Sequence, residues 1–184
     1  MIEPTDGDVT CREPDGTGAG SDELRSLRRD LQIVFQDPQS SLNPRRTVRQ
    51  IVRRPMDLHG IGSQGDRPDR VVELIDAVGL DASHLERYPH ELSGGQQQRV
   101  GIARALAVNP EVIILDEPVS GLDVSVQAQI LNLLADLQEE LGLVYLLISH
   151  DLSVVRHVCD RVAVMYLGEI VEHGPTAEVF EPPY

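Results

Sequence analysis

A short segment at the middle of this sequence places residues with phosphate chemistry at the start of a helix. Ser93, Gly94 and Gly95 come directly before an apolar-periodic stretch, with Ser93 as a plausible N-cap. The unpaired amides and the positive dipole end of a helix N-terminus favour an anion such as phosphate, and glycine lets the backbone come close. The segment predicts an anion site, although Ser-Gly-Gly alone is also a common helix cap.

Two apolar runs further along the chain end on residues with metal and water chemistry. Residues 112–115 form a continuous apolar run that predicts a buried strand, and it delivers two adjacent carboxylates, Asp116 and Glu117, at its C-terminal end. A metal and a water could be held there. Residues 143–148 repeat the layout, predict a second buried strand and lead to His150. Ligands of open α/β sheets bind at such strand ends.

Four ordered motifs in the sequence match those of one protein family. They are LSGGQ from Leu92, VIILDE from Val112, SGLD from Ser120 and ISHD from Ile148. They resemble the signature, Walker B, D-loop and switch-histidine motifs of the ATP-binding subunits of ABC transporters. The sequence around them, including FQDPQSSLNPR and EPVSGLDVSVQAQILNLL, resembles that of the branch that energises oligopeptide and dipeptide importers. The resemblance covers nearly the whole chain.

The resemblance implies a role in ATP hydrolysis for five matching residues. Asp116 matches the carboxylate on the magnesium side, and Glu117 matches the residue that polarises the attacking water, which makes it a general-base candidate. His150 matches the switch histidine that contacts the γ-phosphate, and Asp123 matches the D-loop aspartate that communicates across the dimer. Gln36 matches the Q-loop glutamine that contacts the metal; without the resemblance it would be an ordinary turn amide.

The resemblance also implies partners and cofactors. In this family each ATP lies between the phosphate loop of one subunit and the signature of the other, so Ser93, Gly94, Gly95 and Gln96 match residues that bind the partner's ATP. ATP and Mg²⁺ are the implied cofactors. The implied partners are a second ABC ATPase subunit, in a homodimer or heterodimer, and transmembrane permease subunits. These partners imply a location at the cytoplasmic face of the cell membrane.

One motif of the family does not occur in the 184 residues. There is no G-x-x-x-x-G-K-[ST] phosphate loop, and all 16 residues counted as lysine or arginine are arginine. Both ends of the resemblance look clipped, so we expect a partial ATPase without its first strands and phosphate loop. Two functions remain open: an importer subunit seen as a fragment, or a hydrolysis-deficient module that donates its signature to an intact partner subunit.

Composition limits the classes of partner. The net charge of −14 argues against nucleic acid as a general partner, and against a third function on DNA or ribosomes, because binding a phosphate backbone needs a basic surface. Residues 24–54 carry eight arginines and two acidic residues, a band that either faces a partner or is a solvated face. The longest apolar run is too short to cross a bilayer, so we expect membrane attachment through a partner.

The elements that must position these residues alternate between strand and helix except in the middle of the chain. We expect an α/β fold of the ABC-type P-loop NTPase class, a mostly parallel sheet with helices and an inserted helical subdomain. Residues 1–41 are expected to form an N-terminal loop, a short helix and the Q-loop strand. Residues 42–98 are expected to form the helical subdomain that ends in the signature. Residues 99–184 are expected to form the Walker B, D-loop and H-loop core and a C-terminal hairpin.

Periodicity and turn residues give approximate bounds to the individual elements. In chain order, helices are predicted at 21–29, 70–78, 93–109, after the turn 120–123 with an apolar stripe that reaches Leu141, and at 152–159, and strands at 31–35, 112–115, 143–148, 161–167 and 169–173.

Overall fold

The structure is a computed structural model that describes residues 21–181, with side chains from residue 24 onward. Residues 1–20, which belong to the predicted N-terminal loop, lie outside the described residues. In chain order the elements are α1 (Ser21–Asp30), β1 (Leu31–Val34), α2 (Pro38–Ser41), α3 (Val48–His59), α4 (Arg67–Ala77), α5 (Gly94–Leu106), β2 (Val112–Asp116), α6 (Val124–Leu141), β3 (Val144–Ile148), α7 (Leu152–Val158), β4 (Arg161–Tyr166), β5 (Glu169–Pro175) and α8 (Thr176–Val179). Two 3₁₀ turns, Ala82–His84 and Pro89–Glu91, lie between α4 and α5.

Three parallel strands form the main sheet, in the order β1-β2-β3, with β2 in the centre. The register pairs Val34 with Leu115 and Asp116 with Ile148, so the C-terminal ends of the three strands meet at one edge. Strands β4 and β5 pair antiparallel in a separate two-stranded sheet. The predicted α/β class with a parallel sheet is confirmed. Between residues 42 and 93 the chain contains helices and turns only. Its division into subdomains remains a prediction.

Local chemistry explains where the helices begin and end. Thr47 and Gln50 form a capping box at the start of α3, and Gly60 ends α3 in the left-handed conformation, with φ 68°. Helix α4 begins at Arg67, three residues before the predicted start, because a proline in its first turn already has helical φ. Helix α5 ends at Leu106 and not at residue 109 as predicted, because Asn109 adopts a left-handed φ of 51° before Pro110.

The core lies between the sheet and the helices of one face. Ile113 and Leu115 of β2 point into it and are 1% and 2% exposed. Helix α5 contributes Ile102, and α6 contributes Ile130 and Leu134, all of them fully or almost fully buried. The centre of the sheet and the signature helix α5 therefore share one packed core, which gives the residues at their ends a fixed support.

Strand β3 lies where the sequence predicts it, but the prediction that it is buried is wrong. Val144, Leu146 and Ile148 are 58%, 55% and 49% exposed, whereas Tyr145 and Leu147 pack against the core. The reason is that β3 is an edge strand and that, among residues 24–181, no element covers this side of the sheet. We call this side the outer face; it includes Ile33, Ile114, Val144, Leu146 and Ile148.

No helix in the described part of the chain is both long and apolar enough to span a membrane.

Candidate functional site

Three polar side chains that follow three neighbouring strands meet at the C-terminal edge of the sheet. Gln36 follows β1, Glu117 follows β2 and His150 follows β3. The Gln36 Nε2 donates a hydrogen bond to the Glu117 Oε2 at 2.8 Å, and the His150 Nδ1 lies 2.9 Å from the Glu117 Oε1. The parallel topology thus brings residues separated by as many as 114 positions into one cluster, which we call the strand-end cluster.

The backbone at Glu117 has an unusual conformation that aims its carboxylate. Its φ is 46°, in the left-handed region that non-glycine residues seldom occupy and that is enriched at functional sites. The Glu117 amide still donates to the Ile148 carbonyl oxygen at 2.9 Å, so the pairing of β2 with β3 continues through this turn. The carboxylate is therefore held by the sheet on the backbone side and by Gln36 and His150 on the side-chain side.

The pair of Glu117 and His150 is charged over part of the pH range. The hydrogen bond from His150 lowers the pKa of Glu117, and the hydrogen bond and charge of Glu117 raise the pKa of His150. The His150 side chain is 74% exposed and the Glu117 side chain 22%, so the pair adds little to stability. Its effect is to keep Glu117 ionised and ready to accept a hydrogen bond.

We expect the titration of His150 to depend on Glu117. The pair's contribution to folding is present between the ordinary pKa values of 4.5 for Glu117 and 6.5 for His150. It is lost above this range as pH rises through the raised pKa of His150, and below it as pH falls through the lowered pKa of Glu117. In an NMR titration, Glu117→Gln should lower the midpoint of the His150 ring, and Glu172→Gln, on the exposed hairpin, should leave it unchanged. Equal midpoints in all three proteins would contradict the pairing.

Asp116 and Gln36 offer oxygen atoms that suit Mg²⁺. Asp116 ends β2 beside Glu117, and the Gln36 amide uses its nitrogen toward Glu117, which leaves its oxygen as a possible ligand. Mg²⁺ is usually bound by one or two protein oxygens together with substrate phosphates and water. The described residues hold no cluster of three or more metal-binding side chains, so a metal here would depend on substrate oxygens. The donor set fits Mg²⁺ on these terms.

A cleft of about 100 Å³ adjoins the strand-end cluster. Glu117, Ser120, Gly121 and His150 line it, so it lies between the D-loop turn and the end of β3. It is smaller than the 300 to 1,000 Å³ typical of small-molecule sites, so it can take water or part of a phosphate but not a whole nucleotide. A larger cleft of about 470 Å³ between α3 and α4 contains none of the predicted site residues.

The signature residues form a second, separate group at the start of α5. Ser93 is the N-cap: its Oγ accepts a hydrogen bond from the Gln96 amide at 3.3 Å, and its own amide donates to the Gln96 Oε1 at 3.0 Å. Because the Ser93 oxygen serves as an acceptor, its hydroxyl hydrogen remains available to an anion. None of these residues lines the cleft beside Glu117 among the described residues.

The two signature glycines have a packing role that the sequence analysis missed. A Cβ atom at Gly95 would lie 2.5 Å from the Val126 Cγ1, and one at Gly94 would lie 3.3 Å from the Leu122 Cδ2. Leu122 belongs to the D-loop turn, and Val126 to the first turn of α6. The glycines thus let α5 pack directly against the D-loop. Spacing in the sequence holds no signal of this contact between distant segments.

Asp123 occupies the N-cap position of α6, and its side chain makes no capping hydrogen bond. Its carbonyl oxygen accepts the first helical bonds, from the amides of Val126 at 2.9 Å and Gln127 at 2.8 Å. The backbone alone therefore begins the helix, and the Asp123 carboxylate is exposed at the surface. This exposure leaves the carboxylate accessible to another molecule.

The short helix α2, directly after Gln36, is a feature that the sequence analysis missed. Asp37 caps it by accepting from the Gln39 amide at 2.9 Å, and Pro38 occupies its first position. The Asp-Pro pair is the signal that could have revealed it, because both residues favour a helix start. The Arg104 Nη1 donates to the Ser41 carbonyl oxygen at 2.6 Å. The segment after Gln36 is thus tied to the signature helix.

The chain is similar to proteins of one known family. The model of the family described as "ABC transporter" matches residues 1–120, which is more than half of the chain. The chain belongs to the ABC transporter family. The oligopeptide transport ATP-binding protein AppF of Bacillus subtilis (strain 168) is 52% identical over 184 residues, all of this chain. The glutathione import ATP-binding protein GsiA of Salmonella typhi is 52% identical over 183 residues, again all of this chain.

Solved structures support the same membership in the ABC transporter family. A dimeric post-hydrolysis state of the ATP-binding cassette MJ0796, bound to ADP and Pi, matches with a TM-score of 0.73 and 36% identity. The match covers 85% of this chain and 68% of that one. This ABC chain spans 56% of the length of AppF and 29% of the length of GsiA. It is therefore similar to part of each of these curated relatives.

Proposed function

We propose that this chain is part of an ATP-binding subunit that energises the uptake of oligopeptides or dipeptides. In this proposal it works at the cytoplasmic face of the cell membrane, with transmembrane permease subunits and a second ABC ATPase subunit as partners. ATP is the substrate, and Mg²⁺ is its metal. The identity of 52% to a protein named for oligopeptide transport supports the choice of solute class.

The observation that carries the proposal is the strand-end cluster. Gln36 and His150 both contact one carboxylate, Glu117, at the edge of a parallel sheet where ligands of such sheets bind. A structural ion pair alone would not need an amide from a third strand or a left-handed backbone at the acid. The order Gln36, Asp116, Glu117, His150 along the chain is also the order of the family's motifs.

In ATP hydrolysis these residues position a water and stabilise the charge on the transferred phosphoryl group. The two Glu117 oxygens accept hydrogen bonds from Gln36 and His150 and keep lone pairs for a further one, so the carboxylate can also accept a hydrogen bond from a water. The exposed His150 ring is free to turn its Nε2 toward a γ-phosphate. Bound beside Asp116 and Gln36, Mg²⁺ would neutralise charge on phosphate oxygens.

The alternative is a hydrolysis-deficient module that donates its signature to an intact partner subunit. One observation favours it: the start of α5 is capped by residues of this chain alone, through the capping box of Ser93 and Gln96. Both functions use Ser93 in the same way. They differ in whether Glu117 takes part in hydrolysing a nucleotide that this chain itself binds.

The proposed function is tested by replacing Glu117 with Gln in the chromosomal gene of cells that produce the protein. We expect uptake of a labelled oligopeptide to fall by a factor of about 100 or more, because loss of one group that acts in the transition state has effects of this size. Glu172→Gln, an exposed change on β5, is the matched control and should leave uptake unchanged. Normal oligopeptide uptake with Glu117→Gln overturns the proposal.

A further inference from the structure

A histidine outside the known motifs contacts the signature through the side chain of Gln96. The His84 Nε2 lies 3.2 Å from the Gln96 Nε2, and the contact joins the 3₁₀ turn after α4 to the first turn of α5. Both side chains are half-buried. The Gln96 side-chain oxygen accepts a hydrogen bond from the Ser93 amide. Gln96 therefore links His84 to Ser93.

The hydrogen bonds of the His84 ring fix its tautomer. The Nδ1 lies 2.9 Å from the Asp81 carbonyl oxygen, and because a carbonyl can only accept, Nδ1 carries the hydrogen. The Nε2 of the neutral ring then has a lone pair and accepts from the Gln96 amide nitrogen. This arrangement leaves the Gln96 oxygen pointing away from His84, where it accepts from the Ser93 amide at 3.0 Å.

The same bonds fix the orientation of the capping box of Ser93 and Gln96, which we call the signature cap. If the Gln96 amide turned over, its oxygen would face the lone pair of His84, and its NH₂ group would face the Ser93 amide hydrogen. Both contacts would be lost together. The segment that carries His84 is itself fixed, because Leu85 is 2% exposed and its carbonyl oxygen accepts from the Arg49 amide at 2.9 Å.

We propose that His84 is a positioning residue for the signature: by accepting a hydrogen bond from Gln96, it holds the cap in the form that presents the Ser93 hydroxyl hydrogen to a phosphate of the partner's nucleotide. This inference rests on the proposed role of Ser93 in contacting that nucleotide. The ring acts through Gln96 and does not itself touch the substrate. It extends the functional surface beyond the signature to the turn after α4.

Two substitutions of His84 separate positioning from local structure. Asn places an amide where the Nδ1 lies, so His84→Asn keeps a donor for the Asp81 carbonyl and loses the acceptor for Gln96. Gln places an oxygen near the position of the Nε2, so His84→Gln keeps the acceptor for Gln96. A merely structural role predicts that Asn is tolerated better than Gln, and the positioning role predicts the opposite.

The first measurement is the hydrogen-exchange rate of the Ser93 amide by NMR in the full chain. We expect His84→Asn to raise this rate about five-fold, the effect of losing one ordinary hydrogen bond, and His84→Gln to leave it near that of the wild type. The unfolding midpoint of each variant is measured alongside, and the exchange of the buried Ile102 amide serves as the internal control. An unchanged Ser93 rate in His84→Asn overturns the proposal.

The second measurement is ATP hydrolysis by an intact homologous subunit whose own signature serine has been replaced, mixed with this chain. His84→Asn should lower the restored rate about five-fold relative to wild type, and His84→Gln should retain it. In a Gln96→Ala background, His84→Asn should have no further effect. A full rate with His84→Asn overturns the inference. If the wild-type chain restores nothing while the Ser93 exchange responds as expected, the proposed function fails and the positioning role stands.

Discussion

Mixed with an intact homologous ABC subunit that lacks only its signature serine, this chain is expected to restore ATP hydrolysis at the partner's nucleotide site. Ser93, Gly94 and Gly95 present a hydroxyl and amides at the start of α5, and α5 is capped and packed within this chain. Ser93→Arg should return hydrolysis to the level of the partner alone, because the larger, positively charged side chain fills the place of the phosphate. Steady-state phosphate release measures both.

The matched variant in the mixing experiment is Glu117→Gln. Glu117 belongs to the strand-end cluster, which does not include the signature, so this change should leave the restored rate nearly unaltered. A loss with Glu117→Gln as complete as that with Ser93→Arg would show that this chain holds the hydrolysed nucleotide itself. The assay thus separates the role of Ser93 at the partner's site from the role of Glu117, which the uptake experiment tests.

Gly95→Ala is expected to destabilise the fold by about 1 to 3 kcal/mol, the usual cost of forcing atoms into a packed region. The added Cβ would lie 2.5 Å from the Val126 Cγ1, and neither α5 nor α6 can move without disturbing the core they share. In a Val126→Ala background the same change should cost little, so the two substitutions should couple strongly in a double-mutant cycle. Urea unfolding midpoints measure the effect.

Gly101 provides the control for that experiment within the same helix. Apart from the neighbouring residues and backbone of α5 itself, no atom lies within 4 Å of a Cβ built at Gly101, so Gly101→Ala should be neutral or should stabilise α5 by up to about 1 kcal/mol through helix propensity. Equal stability of Gly95→Ala and Gly101→Ala would refute the contact between the signature and the start of α6.

The sequence predicted the elements of the site well because motif residues lie at the ends of regular elements. The apolar run before Asp116 and the capping residue Ser93 are local signals, and local backbone preferences decide both elements. The distance between Gln36, Glu117 and His150 could only be inferred from the family's pattern. Their contact results from the strand order, which no local signal in the sequence specifies.

Other features depend on contacts between distant segments and were therefore missed. An apolar run such as Val144–Ile148 has the same pattern whether one or both of its faces are covered, so the exposure of β3 could not be read from it. Gly94 and Gly95 suggest close approach to a ligand, and only the fold reveals that Leu122 and Val126 also require them. The partnership of His84 with Gln96 has no sequence signal at a separation of 12 residues.

The outer face of the sheet is apolar and exposed, so the folding equilibrium of the chain is linked to the binding of any molecule that covers this face. Val144, Leu146 and Ile148 are each about half exposed, and completing the burial of each would contribute about 1 kcal/mol. Together these residues represent a sizeable part of the 5 to 15 kcal/mol that separates folded from unfolded domains. By mass action, whatever covers this face raises the population of the native sheet in proportion to its own concentration and affinity. Natural selection on that contact therefore acts on the abundance of folded protein as well as on its activity.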